Sequence, residues 1–258
     1  MKNSREYNQS TRQDNQTFET FIVSEKNSQG YQECVAFAKG KGRFSNPLLL
    51  CGPSPCGKTH LLNSIRHFIK KESPNTKIGF VSYGDFLSSY IEGLLKKDLK
   101  PFVQEYMEYD VLLIDNAHSM AGMSATEESF AGLFYEMLQS GKRIAISSDR
   151  KSICHKNFCK CLSQKNMSFG TVDIESPDYM IRKQYLMKIV KDYNILTENI
   201  VEYIASSKQI SFSAMRGIYQ NACALLQITG EKPTEEQLFE LIKTYESEKR
   251  DSNPIEEQ

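Results

Sequence analysis

Residues 47–60 read PLLLCGPSPCGKTH, an apolar run that stops at a glycine and gives way, after Gly57-Lys58-Thr59, to helical spacing. Gly52, Gly57, Lys58 and Thr59 satisfy G-x-x-x-x-G-K-[ST], a pattern with a physical rationale when it links a buried strand to a helix. The glycines let the loop curl, its backbone N–H groups turn toward anionic oxygens, and the N-terminus of the following helix adds a favourable dipole. In that setting Gly52, Pro53, Ser54, Pro55, Cys56, Gly57, Lys58, Thr59 and His60 cradle a phosphate chain. Lys58 reaches the outer phosphates and the Thr59 hydroxyl holds Mg2+. Pro53 and Pro55 remove two amide donors and stiffen the loop, so its grip is expected to be weaker than that of a glycine-rich one.

A loop of this kind needs strands and helices in alternation, and the chain supplies them. Short, largely apolar runs at 47–51, 77–82, 111–115, 143–148 and 170–174 read as buried parallel strands. Helical spacing occupies 59–71, 83–95, 100–109 and 127–139 between them, which predicts an α/β domain with helices on both faces of a parallel sheet. After Ser176 the strands stop. Residues 177–194, 197–208, 211–228 and 233–249 carry helical periodicity, so a small helical bundle is expected from 177 to 246 after a sheet domain at 17–176. Residues 1–16 and 247–258 are polar and read as mobile arms.

A site for a nucleotide with Mg2+ also needs an acid at the end of a neighbouring strand, and Val-Leu-Leu-Ile-Asp at 111–115 ends in Asp115. Hydrolytic sites of this type usually add a second acid just beyond, to polarise the attacking water. Here Asn116, Ala117 and His118 follow. An amide orients water but cannot accept its proton, and losing a positioned base costs about 10²-fold to 10⁴-fold in rate. Binding of ATP or ADP with Mg2+ is therefore expected without efficient turnover.

Charge and composition limit the alternatives. Lys plus Arg and Asp plus Glu both number 32, so the net charge is zero and argues against a broad field for a polyanion. No apolar run approaches the roughly 18 residues that span a bilayer, and the N-terminus is polar, so a cytoplasmic protein without membrane contact is expected. The 7 scattered cysteines read as reduced thiols.

Five segments in order resemble the AAA+ ATPase domain of the bacterial replication initiator DnaA family and its shorter regulatory relatives, from about Thr17 to Tyr245. TFETFIVSEKNSQGY resembles the stretch that helps enclose adenine, and NPLLLCGPSPCGKTHLL the phosphate loop. DVLLIDNAHSMAG resembles the Mg2+ strand, ISSDR the sensor strand with Asp149, and VDIESPDYMIR the entry to the lid. The resemblance implies a P-loop AAA+ fold binding ATP or ADP. It further implies action in replication initiation or its regulation through contacts with an initiator, helicase or sliding clamp, with self-association in the AAA+ manner.

The departures fall on positions that would make an active initiator. Asn116 stands where the family has a catalytic Asp. KNFCKCLSQKNMSFG, at 156–170, has no arginine to reach a neighbouring subunit, and Cys161 aligns there. The lid arginine that senses the γ-phosphate aligns with Ser213, with Arg216 one turn later as its substitute. The basic pair that contacts single-stranded DNA aligns with Met123 and Ala125, and no helix-turn-helix segment follows Tyr245. Direct sequence-specific DNA binding is not expected. An active helicase-loader-type ATPase, and a decayed scaffold that no longer binds nucleotide, are the competing readings.

Three further groupings carry weaker signals. Cys154, His155, Cys159 and Cys161 lack the usual zinc spacing and read as loop thiols. Lys39, Lys41 and Arg43, and Lys96, Lys97 and Lys100, read as solvated basic clusters. Tyr179, Tyr185, Tyr193, Tyr203 and Tyr219 read as core residues of the lid.

Overall fold

The computed structural model describes residues 15–41, 46–117, 124–149, 170–190 and 195–251. The chain divides into two compact units, residues 1–176 and 177–258. In the first, α1 (Ser28–Ala38), β1 (Leu48–Cys51), α2 (Lys58–Glu72), β2 (Ile78–Ser82), α3 (Tyr83–Leu95), α4 (Lys100–Met107), β3 (Val111–Asp115), α5 (Ser124–Gln139), β4 (Arg143–Ser148) and β5 (Gly170–Asp173) follow one another. The strands form one parallel sheet in the order β2-β3-β4-β1-β5.

Alternation of side chains along each strand feeds two cores. Leu48, Leu50, Val111, Leu113, Ala145 and Val172 pack with Cys34, Phe37, Leu61, Leu62 and Ile65 of α1 and α2. Leu49, Cys51, Leu112, Ile114, Ile144 and Ile146 pack with Phe86, Tyr90, Phe102, Tyr106, Phe130 and Phe134 of α3, α4 and α5. Because both of their faces are covered, the central strands β1 and β3 read as continuous apolar runs instead of alternating ones. Full burial of each leucine, isoleucine, valine or phenylalanine among them stabilises by about 1.5–3 kcal/mol.

The five expected strands form, their ends shifted by no more than a residue, and the sheet has helices on both faces. One helix of this unit, α1, has no counterpart among the periodic stretches. Gly30 in its first turn has poor helix propensity, yet a Cβ there would lie 3.1 Å from Ile174 Cγ1 and 3.3 Å from Val172 Cγ1. The glycine marks close approach of the helix to the sheet.

The second unit holds α6 (Tyr179–Ile189), α7 (Glu198–Ser206), α8 (Phe212–Thr229) and α9 (Glu235–Asp251). Asp178 and Ser211 cap α6 and α8 by accepting from Ile181 N and Ala214 N, and Gly230, at φ 73°, closes α8. Leu186, Ile200, Ile204, Met215, Ile218, Leu238 and Ile242 form the core. Arg182, 5% exposed, donates to the carbonyls of Ile204, Ala205, Ser207 and Ile210, so its charge is matched by the C-terminal end of α7 with no carboxylate among these partners. Burial holds its pKa below the ordinary arginine value.

The tyrosine reading needs correction. Tyr179 and Tyr203 lie on the surface, because their hydroxyls reach Glu202 and Glu246 instead of the core. Tyr185 and Tyr219 do pack against the core, and Tyr193 lies outside the described residues.

Candidate nucleotide-binding site

Parallel pairing brings the carboxyl ends of β1, β3 and β4 to one edge of the sheet: Cys51 lies opposite Ser148, and Ile114 opposite Ile146. Ligands of open α/β sheets bind at this edge. The loop that leaves β1 is anchored by Gly52 N, which donates to Ser148 O at 3.2 Å. A Cβ on Gly52 would lie 2.2 Å from Ile174 O, so only glycine fits there. Ser54 and Pro55 are exposed and Pro53 is half-buried, while Cys56 is buried in the core on the α1 and α2 face. Gly57 starts α2 at φ 98°, and a Cβ on it would sit 2.9 Å from Phe21 Cε2.

Lys58 is 7% exposed. Its ammonium donates to Gly52 O at 2.7 Å and Pro53 O at 3.3 Å, and Cys56 Sγ lies 3.8 Å away. These contacts keep the cation inside the curl of the loop, where a buried charge needs partners. A phosphate entering this loop would have to compete with two carbonyls for it.

Next to the loop, Thr59 Oγ1 donates to Asp115 Oδ2 at 2.7 Å. The other carboxylate oxygen accepts from the hydroxyl of fully buried Ser147 and from Asn116 N at 3.1 Å. Asn116 N also reaches Ser147 Oγ at 2.9 Å. A hydroxyl and a carboxylate side by side are hard oxygen donors, the set a small divalent cation takes, so Thr59 and Asp115 fit Mg2+. Asn116 itself sits at φ 60°, a left-handed conformation that asparagine tolerates better than most residues.

The 17–31 stretch lies against the first turns of α2. His60 Nε2 is 3.0 Å from Thr17 O and 3.2 Å from Thr20 Oγ1, and Phe21 meets the His60 ring edge to face at 5.2 Å. Phe18 and Phe21 both pack on Tyr31. Asn63 Nδ2 donates to Gln16 Oε1 at 2.7 Å, so fixed contacts begin inside the segment read as an arm.

Asp149 follows directly on β4, one residue past the anchor of Gly52. Arg216 belongs to the helical unit, where its Nη2 donates to Tyr185 Oη at 3.3 Å, and Ser213 pairs with Ser211 at 2.8 Å. The structure therefore gathers Gly52 to His60 with Asp115, and describes Arg216 within its own unit. His118, Met123, Cys154, His155, Cys159 and Cys161 lie outside the described residues. Among the described residues no cluster of His, Cys, Asp and Glu could hold a metal, and Cys34, Cys51, Cys56 and Cys223 form no disulfide. The residue that sequence reasoning missed is Ser147. Its only signal was its place in ISSDR, and the sheet register was needed to set it beside Asp115.

Residues 12–170 match the family of the bacterial DnaA ATPase domain. The chromosomal replication initiator protein DnaA of Nostoc punctiforme is 32% identical over 228 residues, which cover 88% of this chain and 50% of that protein. The chain belongs to the DnaA ATPase-domain family. Domain III of the Thermotoga maritima replication initiation protein DnaA superposes with a TM-score of 0.77 at 27% identity, covering 89% of this chain and 96% of that one. AMPPCP-bound DnaA from Aquifex aeolicus shares the fold, with a TM-score of 0.67 at 24% identity over 91% of this chain and 69% of that one. The chain spans about half the length of the curated DnaA relatives it matches. No helix among the described residues is long and apolar enough to cross a membrane.

Proposed function

We propose that this DnaA-family chain is an ATP-binding module that acts in replication initiation or its regulation through protein contacts, and that it hydrolyses ATP slowly or not at all. The observation that carries the reading is the pairing of Thr59 with Asp115 beside the buried Lys58, followed by Asn116 in place of an acid. Lys58 supplies charge to the outer phosphates, and Thr59 and Asp115 hold Mg2+, which would neutralise the phosphate oxygens. Asn116 can orient a water molecule but cannot take its proton. The 17–31 stretch, which packs on His60 through Phe21 and Thr17, is the segment given the adenine by the resemblance, and Asp149 and Arg216 are the sensing residues. The AMPPCP bound to the Aquifex relative supports a nucleotide of this class.

An initiator, helicase or sliding clamp is the expected partner class, in the cytoplasm. The domain plan keeps residues 17–176 as the nucleotide-binding domain and 177–246 as its lid. Fluorescent ATP analogue titrated with and without Mg2+ tests the reading, with Mg2+-dependent binding lost in Lys58→Ala as the expected result. A second reading, a scaffold without nucleotide, is favoured by the two carbonyls that already hold Lys58 and by the prolines of the loop. The absence of binding at millimolar nucleotide would select it.

A further inference from the structure

His60 follows Thr59 in the first turn of α2, and its ring is engaged by the 15–31 stretch. Thr17 O can only accept, so the imidazole Nε2, 3.0 Å away, carries the proton and donates. Thr20 Oγ1 lies 3.2 Å from the same nitrogen. Its own hydrogen goes to Asn15 O at 2.7 Å or Thr17 O at 3.0 Å, which leaves this hydroxyl as a second acceptor for His60. Phe21 closes over the ring at 5.2 Å.

The turn that receives this bond does not need it. Thr17 O already accepts from Phe21 N at 3.1 Å and Thr20 N at 3.2 Å, and Thr17 N donates to Thr20 Oγ1 at 3.0 Å, so the turn closes on itself. Phe18, 7% exposed, anchors it separately in the core, against Phe68 of α2 and Tyr31. A bond that neither makes the turn nor buries its anchor has a narrower effect, which is to fix where Phe21 lies. That place is the phosphate loop, because a Cβ on Gly57 would sit 2.9 Å from Phe21 Cε2. One imidazole thus ties the last glycine of the loop, the first turn of α2 and the 17–31 stretch together.

We propose that His60 is a positioning residue for the nucleotide and not a phosphate ligand: it pins the 17–31 stretch to the phosphate loop, so that the segment given the base stays in register with the loop given the phosphates. The role rests on the nucleotide reading above. Its physical content is preorganisation, since a segment already held in place does not have to be ordered when the ligand arrives. A ligand that carries a base gains from this, and one made of phosphates alone does not.

The test titrates the full chain, in Mg2+, with ATP and separately with inorganic tripolyphosphate, which has the same phosphate chain and no base. His60→Leu removes the donor and keeps an apolar contact for Phe21; it should weaken ATP by about tenfold and leave tripolyphosphate within about twofold. His60→Gln, whose amide N–H reaches nearly as far as Nε2, should bring ATP back to within about threefold of the wild type. In the nucleotide-free protein, the nuclear Overhauser contact between the Phe21 ring and Gly57 Hα should be present in the wild type and His60→Gln and weakened in His60→Leu. Equal loss on both probes, no loss on either, or a Phe21–Gly57 contact that persists unchanged in His60→Leu would overturn the proposal while the nucleotide reading stands. A wild-type chain that binds neither probe would sink that reading and this role with it.

Discussion

Two neighbouring stretches at the carboxyl edge of the sheet differ in what they retain. The loop entering α2 keeps the glycine and side chains that the proposed reading gives to a phosphate chain, though not the amides lost at Pro53 and Pro55: Gly52 with no room for a side chain, Lys58 buried in the curl, and Thr59 on Asp115. One residue past Asp115, the group that would activate water is an amide. The difference teaches that gripping and cleaving depend on separable atoms. Asn116 N still buttresses Asp115 and Ser147, so the backbone of Asn116 supports the acid of the proposed grip even though an amide side chain cannot accept a proton.

The largest effect should come from repairing the cleaving side. Asn116→Asp preserves shape, and aspartate also tolerates the left-handed backbone. On the proposed reading it raises single-turnover hydrolysis by about 10²-fold, the lower end of what a positioned base supplies. An unchanged rate, with binding intact, would mean that the missing arginine in 156–170 limits cleavage instead.

Breaking the gripping side comes next. Lys58→Ala should weaken Mg-ATP by at least about tenfold, since hydrogen bonds to charged groups contribute roughly 1.5–3 kcal/mol. Circular dichroism would confirm that the sheet persists. Ser147→Ala removes the hydroxyl that holds Asp115 and should weaken Mg2+-dependent binding by about fivefold while leaving Mg2+-free binding unchanged. That outcome separates an orienting role from a structural one, because a misfolded sheet would lose both.

The smallest effect on the site should come from the helical unit. Arg182→Met leaves the carbonyls at the end of α7 without a donor and should lower stability by about 1–3 kcal/mol, read as a lower melting temperature. If the two units melt separately, ATP affinity measured well below that transition stays within about twofold.

These contrasts also explain what was legible in the sequence. Val111 to Asp115 announced a buried strand and its terminal acid because a parallel strand covered on both faces is apolar throughout. The phosphate loop was legible because steric rules confine such a loop to few residue types. Less legible were features that depend on distant pairing. Ser147 meets Asp115 across 32 residues of chain, fixed by the β3–β4 register. Helix α1 was hidden because Gly30, a helix breaker on propensity alone, is there to let the helix touch β5. Arg182 resembles any surface arginine until the end of α7 folds around it, and the exposure of Tyr179 follows from Glu202, which binds both its hydroxyl and Lys183.

The most direct measurement is the fate of ATP bound to the wild-type chain. Protein loaded with radiolabelled ATP and Mg2+, freed of excess nucleotide and quenched over time, should release intact ATP after times in which a working ATPase would have turned over many times. The same preparation of Lys58→Ala should carry none. Recovery of mainly ADP within the first minutes, or no retained nucleotide in the wild type, would contradict the account.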